Sequence, residues 1–228
     1  MDEDPDHRPP GSPWRLDPAL THLNHGSFGA CPAPVLQAQS VWRERIEADP
    51  TGFFRHELWP ALDRAREALA RFVGAAPDDL ALVANATAGV NAVLRSLDLQ
   101  PGDELLTTDH AYGSCRRALE LVAARSGCRV VVARVPFPIA GPADVLGAVL
   151  EQLSGRTRLA LLDHVTSPSA LVFPVRELVA ALAERGVDTL VDGAHAPGML
   201  DLEVAGLGAA WYVGNCHKWL CAPRGAAF

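Results

Sequence analysis

The chain has 228 residues, 49% of them hydrophobic and 21% charged, with a formal net charge of −7. That length and balance suit one well-buried α/β-sized core. The negative charge argues against a nucleic-acid or anionic-membrane surface, which needs clustered excess Lys and Arg, and no apolar run in the sequence reaches bilayer length.

The N-terminus, MDEDPDHRPPGSPW, is acidic and proline-rich and lacks the apolar stretch of a signal peptide. It reads as a flexible tail over residues 1–19. LTHLNHGSFGACPAPV (20–35) follows, too rich in Gly and Pro for regular structure. Helical periodicity then covers 35–48 and 58–73.

From residue 80 the pattern alternates. Short apolar runs at 80–84, 104–108, 129–135, 158–163, 188–192 and 209–214 read as buried strands. Helical segments at 87–97, 113–126, 142–153 and 174–185 lie between most of them. This is the signature of βαβ units. It predicts a three-layer α/β/α fold with a mostly parallel sheet of about seven strands. The expected organisation is a tail (1–19), an N-terminal segment near a site entrance (20–57) and a large domain (58–228).

Five cysteines, an odd number with no C-x-x-C pair, suggest a reduced, cytoplasmic protein without a disulfide framework or zinc knuckle. Asp192 with His195, and His22 with His25, are pairs a metal could use, but no third ligand stands at convincing spacing, so no metal is expected. GLGAAW (206–211) lacks the third glycine of a dinucleotide fingerprint and precedes a strand.

Parallel α/β sheets bind ligands beyond the carboxyl ends of their strands. The residues there are Asn85 to Gly89, Asp109 to Tyr112, His164 to Ser167, Asp192 to His195, and Asn215 to Lys218. Lys218 is the only lysine; the other nineteen basic residues are arginine. A GC-rich coding bias explains why lysine is rare, but not where the survivor sits. Arginine stays protonated, whereas a desolvated lysine loses its proton and forms Schiff bases.

Each neighbour has a bland reading and a functional one. NATAGVNAVL is an ordinary helix start, or a phosphate cradle of backbone N–H groups around Thr87. Asp192, after an apolar run, is a turn cap, or the counter-ion of a protonated ring nitrogen. His110 and Tyr112 pack under a loop, or one of them stacks on a flat ring. Taken together, a cradle, a stacking ring, a carboxylate and an amine are the set that pyridoxal 5'-phosphate requires.

LNHGSFGACP, FFRHELWP, NATAGVNAVL, TTDHAYGSCR, LLDHVTSP, TLVDGAHAPG and GNCHKWLCAPRGAAF, from about residue 20 to the last residue, resemble the class V aminotransferase family in order and spacing. This is a family of fold type I pyridoxal phosphate enzymes, and the resemblance is to its isopenicillin N epimerase-like branch. It implies that Lys218 carries the Schiff base, that Asp192 pairs with the pyridine nitrogen and that His195 lies near the phenolic oxygen. Ala86, Thr87 and Ala88 would hold the phosphate, helped by Asn215 and His217. His110 or Tyr112 would stack on the ring, Ser167 would approach its oxygen side, and Asn24 and His25 would line the substrate entrance.

The activity implied is epimerisation, racemisation or transamination at the α-carbon of an amino-acid substrate. Carbon–sulfur lysis of the desulfurase kind is the alternative, and an inactive fragment or binding module the third possibility. Family members continue beyond the lysine into a smaller C-terminal domain that supplies an arginine for the substrate carboxylate. They also complete their site across a homodimer interface. This chain stops at Phe228, so it is expected to be a fragment.

Overall fold

The computed structural model describes residues 12–228. The expected tail over 1–19 therefore lies largely outside the described residues. Strands β1 (Glu104–Thr108), β2 (Arg129–Ala133), β3 (Thr157–Asp163), β4 (Asp188–Asp192) and β5 (Trp211–Val213) form one parallel sheet in the order β2-β1-β3-β4-β5. Because every pairing is parallel, all five strands end at the same edge. In register, Asp163 faces Asp192, and Asp192 faces Val213.

Five strands, among the described residues, stand where about seven were expected. Residues 80–84 make only an isolated antiparallel bridge, Val83 to Ala227. They are confined between the tight turn Pro77–Asp79 and Asn85, which already caps the next helix, so the run has room for a single rung. Pairing of β2 stops at Ala133, beyond which the Val135 N–H is taken by the Asp109 side chain at 3.0 Å.

The described residues form seven α-helices: α1 (Ala33–Ala48), the single turn α2 (Pro50–Gly52), α3 (Leu58–Val73), α4 (Ala86–Ser96), α5 (Gly113–Ser126), α6 (Pro142–Leu150) and α7 (Val175–Ala183). A π-turn, Phe53–Glu57, joins α2 to α3. Alternation along the strands sorts side chains to two faces. Leu105, Leu159, Leu161 and Leu190 meet α4 and α5 on one face, while Leu106, Ala160, Leu162 and Val191 meet α6 and α7 on the other. The odd positions of β3 and the even ones of β4 share the α4/α5 face, so Asp163 and Asp192 do too. Among the described residues no helix is long and apolar enough to cross a membrane.

Candidate active site

Where the strands end, a cleft of about 1100 Å³ opens over the α4/α5 side. Asn24, Thr87, Tyr112, Asp192, His195 and Lys218 all line it. Ser167, Asn215 and His217 line it as well.

Asp192, the last residue of β4, is 3% exposed. Its Oδ1 accepts the Ala194 N–H at 3.0 Å, and its Oδ2 accepts the Cys115 thiol at 3.1 Å. Burial first, and then the Asp192 charge, push the Cys115 thiol well up, so it stays a donor. Among the described residues no cationic side chain forms an ion pair with Asp192. A buried carboxylate without a cation is costly, and an approaching cationic ring would relieve it.

Lys218 lies in the turn after β5. Its Nζ is 2.9 Å from His195 Nε2 and 5.8 Å from the centre of the Tyr112 ring. On the other side of His195, Trp219 Nε1–H donates to Nδ1 at 3.2 Å. Burial lowers the Lys218 pKa, while Asp192, Cys115 and Asp163 pull it back up. Burial, helped by Lys218, lowers that of His195 to about 4.

The α4 start is built by two asparagines. Asn85 caps the helix, taking the Ala88 N–H at 2.8 Å, and Asn215 reaches across from the lysine loop to take the Ala86 N–H at 2.8 Å. The N–H groups of Ala86 and Ala88 are thus occupied by side chains; Thr87 lies between them and lines the cleft, as Ala86 does, whereas Ala88 does not. His217 Nδ1 donates to the Ala226 carbonyl at 2.8 Å.

Two expected residues are placed elsewhere. His110 is buried, with Nδ1 at 2.7 Å from Ser169 Oγ, Nε2 at 3.3 Å from the Val135 carbonyl and its ring edge-on to Phe173. Of the two stacking candidates only Tyr112 lines the cleft, 42% exposed. His25 packs among Trp14, His22 and Trp219, while Asn24 faces the cleft. Among the described residues no three of His, Cys, Asp and Glu are grouped to hold a metal ion.

The residues that sequence reasoning missed support the others. Trp219 donates a hydrogen bond to His195. Cys115 bonds Asp192. Asp163 sits beside Asp192 with one oxygen unbonded. Gly26 presses on the His195–Trp219 contact, where a Cβ would fall 2.8 Å from His195 Nδ1 and 2.9 Å from Trp219 Cζ2. The strand-end rule that selected Asp192 applies equally to Asp163, the last residue of RLALLD, and would have found it.

A parallel sheet that gathers a lone lysine, a buried carboxylate and a helix start at its carboxyl edge defines the fold type I class of pyridoxal phosphate enzymes. Within it the chain belongs to the aminotransferase class-V family, whose model matches residues 31–228. Isopenicillin N epimerase of Amycolatopsis lactamdurans is 43% identical over 216 residues, and that of Streptomyces clavuligerus 40% over 213, each match covering 93% of this chain and 54% of the relative. A putative L-cysteine desulfhydrase of Oryza sativa subsp. japonica is 36% identical over 228 residues, covering 93% of this chain and 48% of the relative. The chain thus spans about half the length of the curated relatives it matches. Among solved structures, a cystine C–S lyase in complex with its product cysteine persulfide superposes with a TM-score of 0.85 at 27% identity, over 90% of this chain and 55% of the other.

Proposed function

We propose that this protein binds pyridoxal 5'-phosphate and works at the α-carbon of an amino acid, in the manner of an isopenicillin N epimerase-like epimerase or racemase. The observation that carries the reading is the convergence on one cleft of the lone lysine, its histidine and a buried carboxylate that has no ion pair among the described residues. The names of the two epimerase relatives support it. The cofactor, when bound, supplies an aldehyde that condenses with amines and a pyridinium ring that withdraws electrons from the α-carbon.

The chain's own residues divide the remaining work. Asp192 offers its charge to the ring nitrogen, held in place by Cys115 and Ala194. Thr87, in the first turn of α4, and His217, in the lysine loop that Asn215 ties to that turn, would receive the phosphate. Tyr112 would cover the ring, Ser167 would approach its oxygen side, and His195 would donate to the phenolic oxygen once the ring is bound. Asn24 orients the substrate at the entrance. Lys218 Nζ, half-buried beside that histidine, takes and returns the α-proton.

Residues 20–57 form the entrance segment and 58–228 the cofactor-binding domain in this reading. Exposed Trp59 and Phe54, 66% and 54% accessible, support a homodimer. The five free cysteines support a reducing, cytoplasmic setting. A second reading, carbon–sulfur lysis, is supported by the desulfhydrase relatives and the lyase structures.

The test is absorbance titration of the protein with the cofactor, followed by amino acids in heavy water. Binding with deuterium uptake at the α-carbon is the expected outcome. Sulfide release from cysteine without α-deuteration would transfer the assignment to the second reading. No binding at all would remove both.

A further inference from the structure

Two hydrogen bonds on one imidazole constrain the protons of three residues. Trp219 Nε1–H is a donor only, so the His195 Nδ1 it reaches at 3.2 Å must present its lone pair. Neutral His195 then carries its proton on Nε2, the atom 2.9 Å from Lys218 Nζ. A lysine that meets an N–H donor must accept, and only an unprotonated amine has a lone pair for that.

We propose that Trp219 is a positioning residue: by holding the His195 proton on Nε2, it keeps Lys218 an uncharged, nucleophilic amine before any ligand arrives.

The surroundings agree. Gly26 packs against both Trp219 and His195, leaving no space for a Cβ, so the entrance loop holds the indole–imidazole contact closed. Burial acts on Lys218 and His195 in the direction of their neutral forms. The groups that oppose this at Lys218 are Asp192 from the end of β4, Asp163 from β3 and Cys115 from α5. Cys115 is itself kept protonated, and Asp163 is held well above the ordinary carboxylate range by burial and by Asp192. Of the groups that oppose the neutral amine, Asp192 is therefore the chief one. From the entrance loop, His25 lies 6.3 Å from the Trp219 ring and reaches Cys221 rather than His195.

The inference rests on Lys218 being the reactive amine of the proposed function, but its test needs no cofactor. Lys218 is the only side-chain amine in the chain, so reductive methylation with formaldehyde and cyanoborohydride, followed by peptide mass spectrometry, reports on it directly. The α-amine serves as internal reference. Modification of Lys218 across a pH series should proceed well below the ordinary lysine range in the wild type. Trp219→Phe frees His195 to turn its proton to Nδ1 and accept from an ammonium. The Lys218 profile should move to higher pH, with about tenfold slower modification at neutral pH, the effect of roughly one hydrogen bond.

Nitrogen-15 NMR of labelled histidine gives a second measurement that needs no variant: His195 should show its proton on Nε2 in the wild type. An unchanged profile in Trp219→Phe, or a uniform slowing at every pH, would overturn the proposal, as would a wild-type proton on Nδ1. Failure of cofactor binding with the expected profile and tautomer would instead count against the proposed function alone.

Discussion

Among the described residues three carboxylates are buried in the sheet, and two of them stand at opposite ends of their strands. Glu104 opens β1 and is 1% exposed; Asp163 closes β3 and is 3% exposed. Glu104 is saturated: Oε1 accepts from Arg129 at 2.6 Å and from Arg156 at 2.8 Å, and Oε2 accepts from Ser154 at 2.7 Å. The Ser154 hydroxyl first, and then the Arg129 guanidinium, hold its carboxyl down at about 2. Asp163 has no such partners. Its Oδ2 is unbonded among the described residues, and burial and the neighbouring Asp192 push it well up. The amino edge of the sheet spends its charges on structure. The carboxyl edge leaves capacity open to a proton or a ligand, and it is the edge where the cleft lies.

The comparison breaks first at Asp192. Asp192→Asn removes the charge offered to the ring nitrogen, and pyridoxal phosphate affinity should fall by about 100-fold, the upper range for losing a group that tunes a bound centre. Glu104→Gln should leave that affinity unchanged, since its partners lie at the other edge. Absorbance titration of the two variants side by side measures both. Equal losses in the two would erase the distinction between the edges.

Stability should respond in the opposite sense. Glu104→Gln leaves two arginines without their charge partner and should cost about 2 kcal/mol by urea unfolding at neutral pH, discounted because both guanidiniums are largely exposed. The sign with pH follows from the lowered carboxyl. The Glu104 contribution is complete above the ordinary value of 4.5 and is lost as pH falls toward about 2, so the gap between wild type and variant should close across that window.

The smallest effect has the reverse sign. Asp163 has a raised carboxyl, so its contribution is fully present below the ordinary Asp range and is withdrawn as pH rises through that range toward the folded value. Asp163→Asn abolishes the penalty and should stabilise the protein by about 1 kcal/mol at neutral pH. A destabilised Asn variant would mean that the Asp163 carboxyl is satisfied in the folded protein, and the two edges would not differ in this way.

Much of this was legible from residue order. Helix periodicity located all the long helices, and the strand-end rule brought Asp192, Thr87, Asn215, His217 and Lys218 to one cleft. What failed did so for local reasons. The run at 80–84 has strand composition but is cut short by a turn and a cap. His110 and Tyr112 are two residues apart after one strand, and nothing in their spacing says which one Ser169 and Phe173 hold below the surface. Ala86 and Ala88 look like free backbone donors until Asn215, 129 positions away, is seen to occupy one of them. Trp219 carried no signal beyond its place beside the lysine, because the orientation of an imidazole is a tertiary fact.

The central claim is that the open edge of the sheet carries the chemistry through one amine. The most direct measurement is incubation with pyridoxal 5'-phosphate, borohydride reduction and peptide mapping of the adduct. A single phosphopyridoxyl group on the peptide that contains Lys218, absent from Lys218→Arg because guanidinium does not condense with the aldehyde, is the expected result. An adduct on the α-amine alone, or one that survives in the arginine variant, would contradict it.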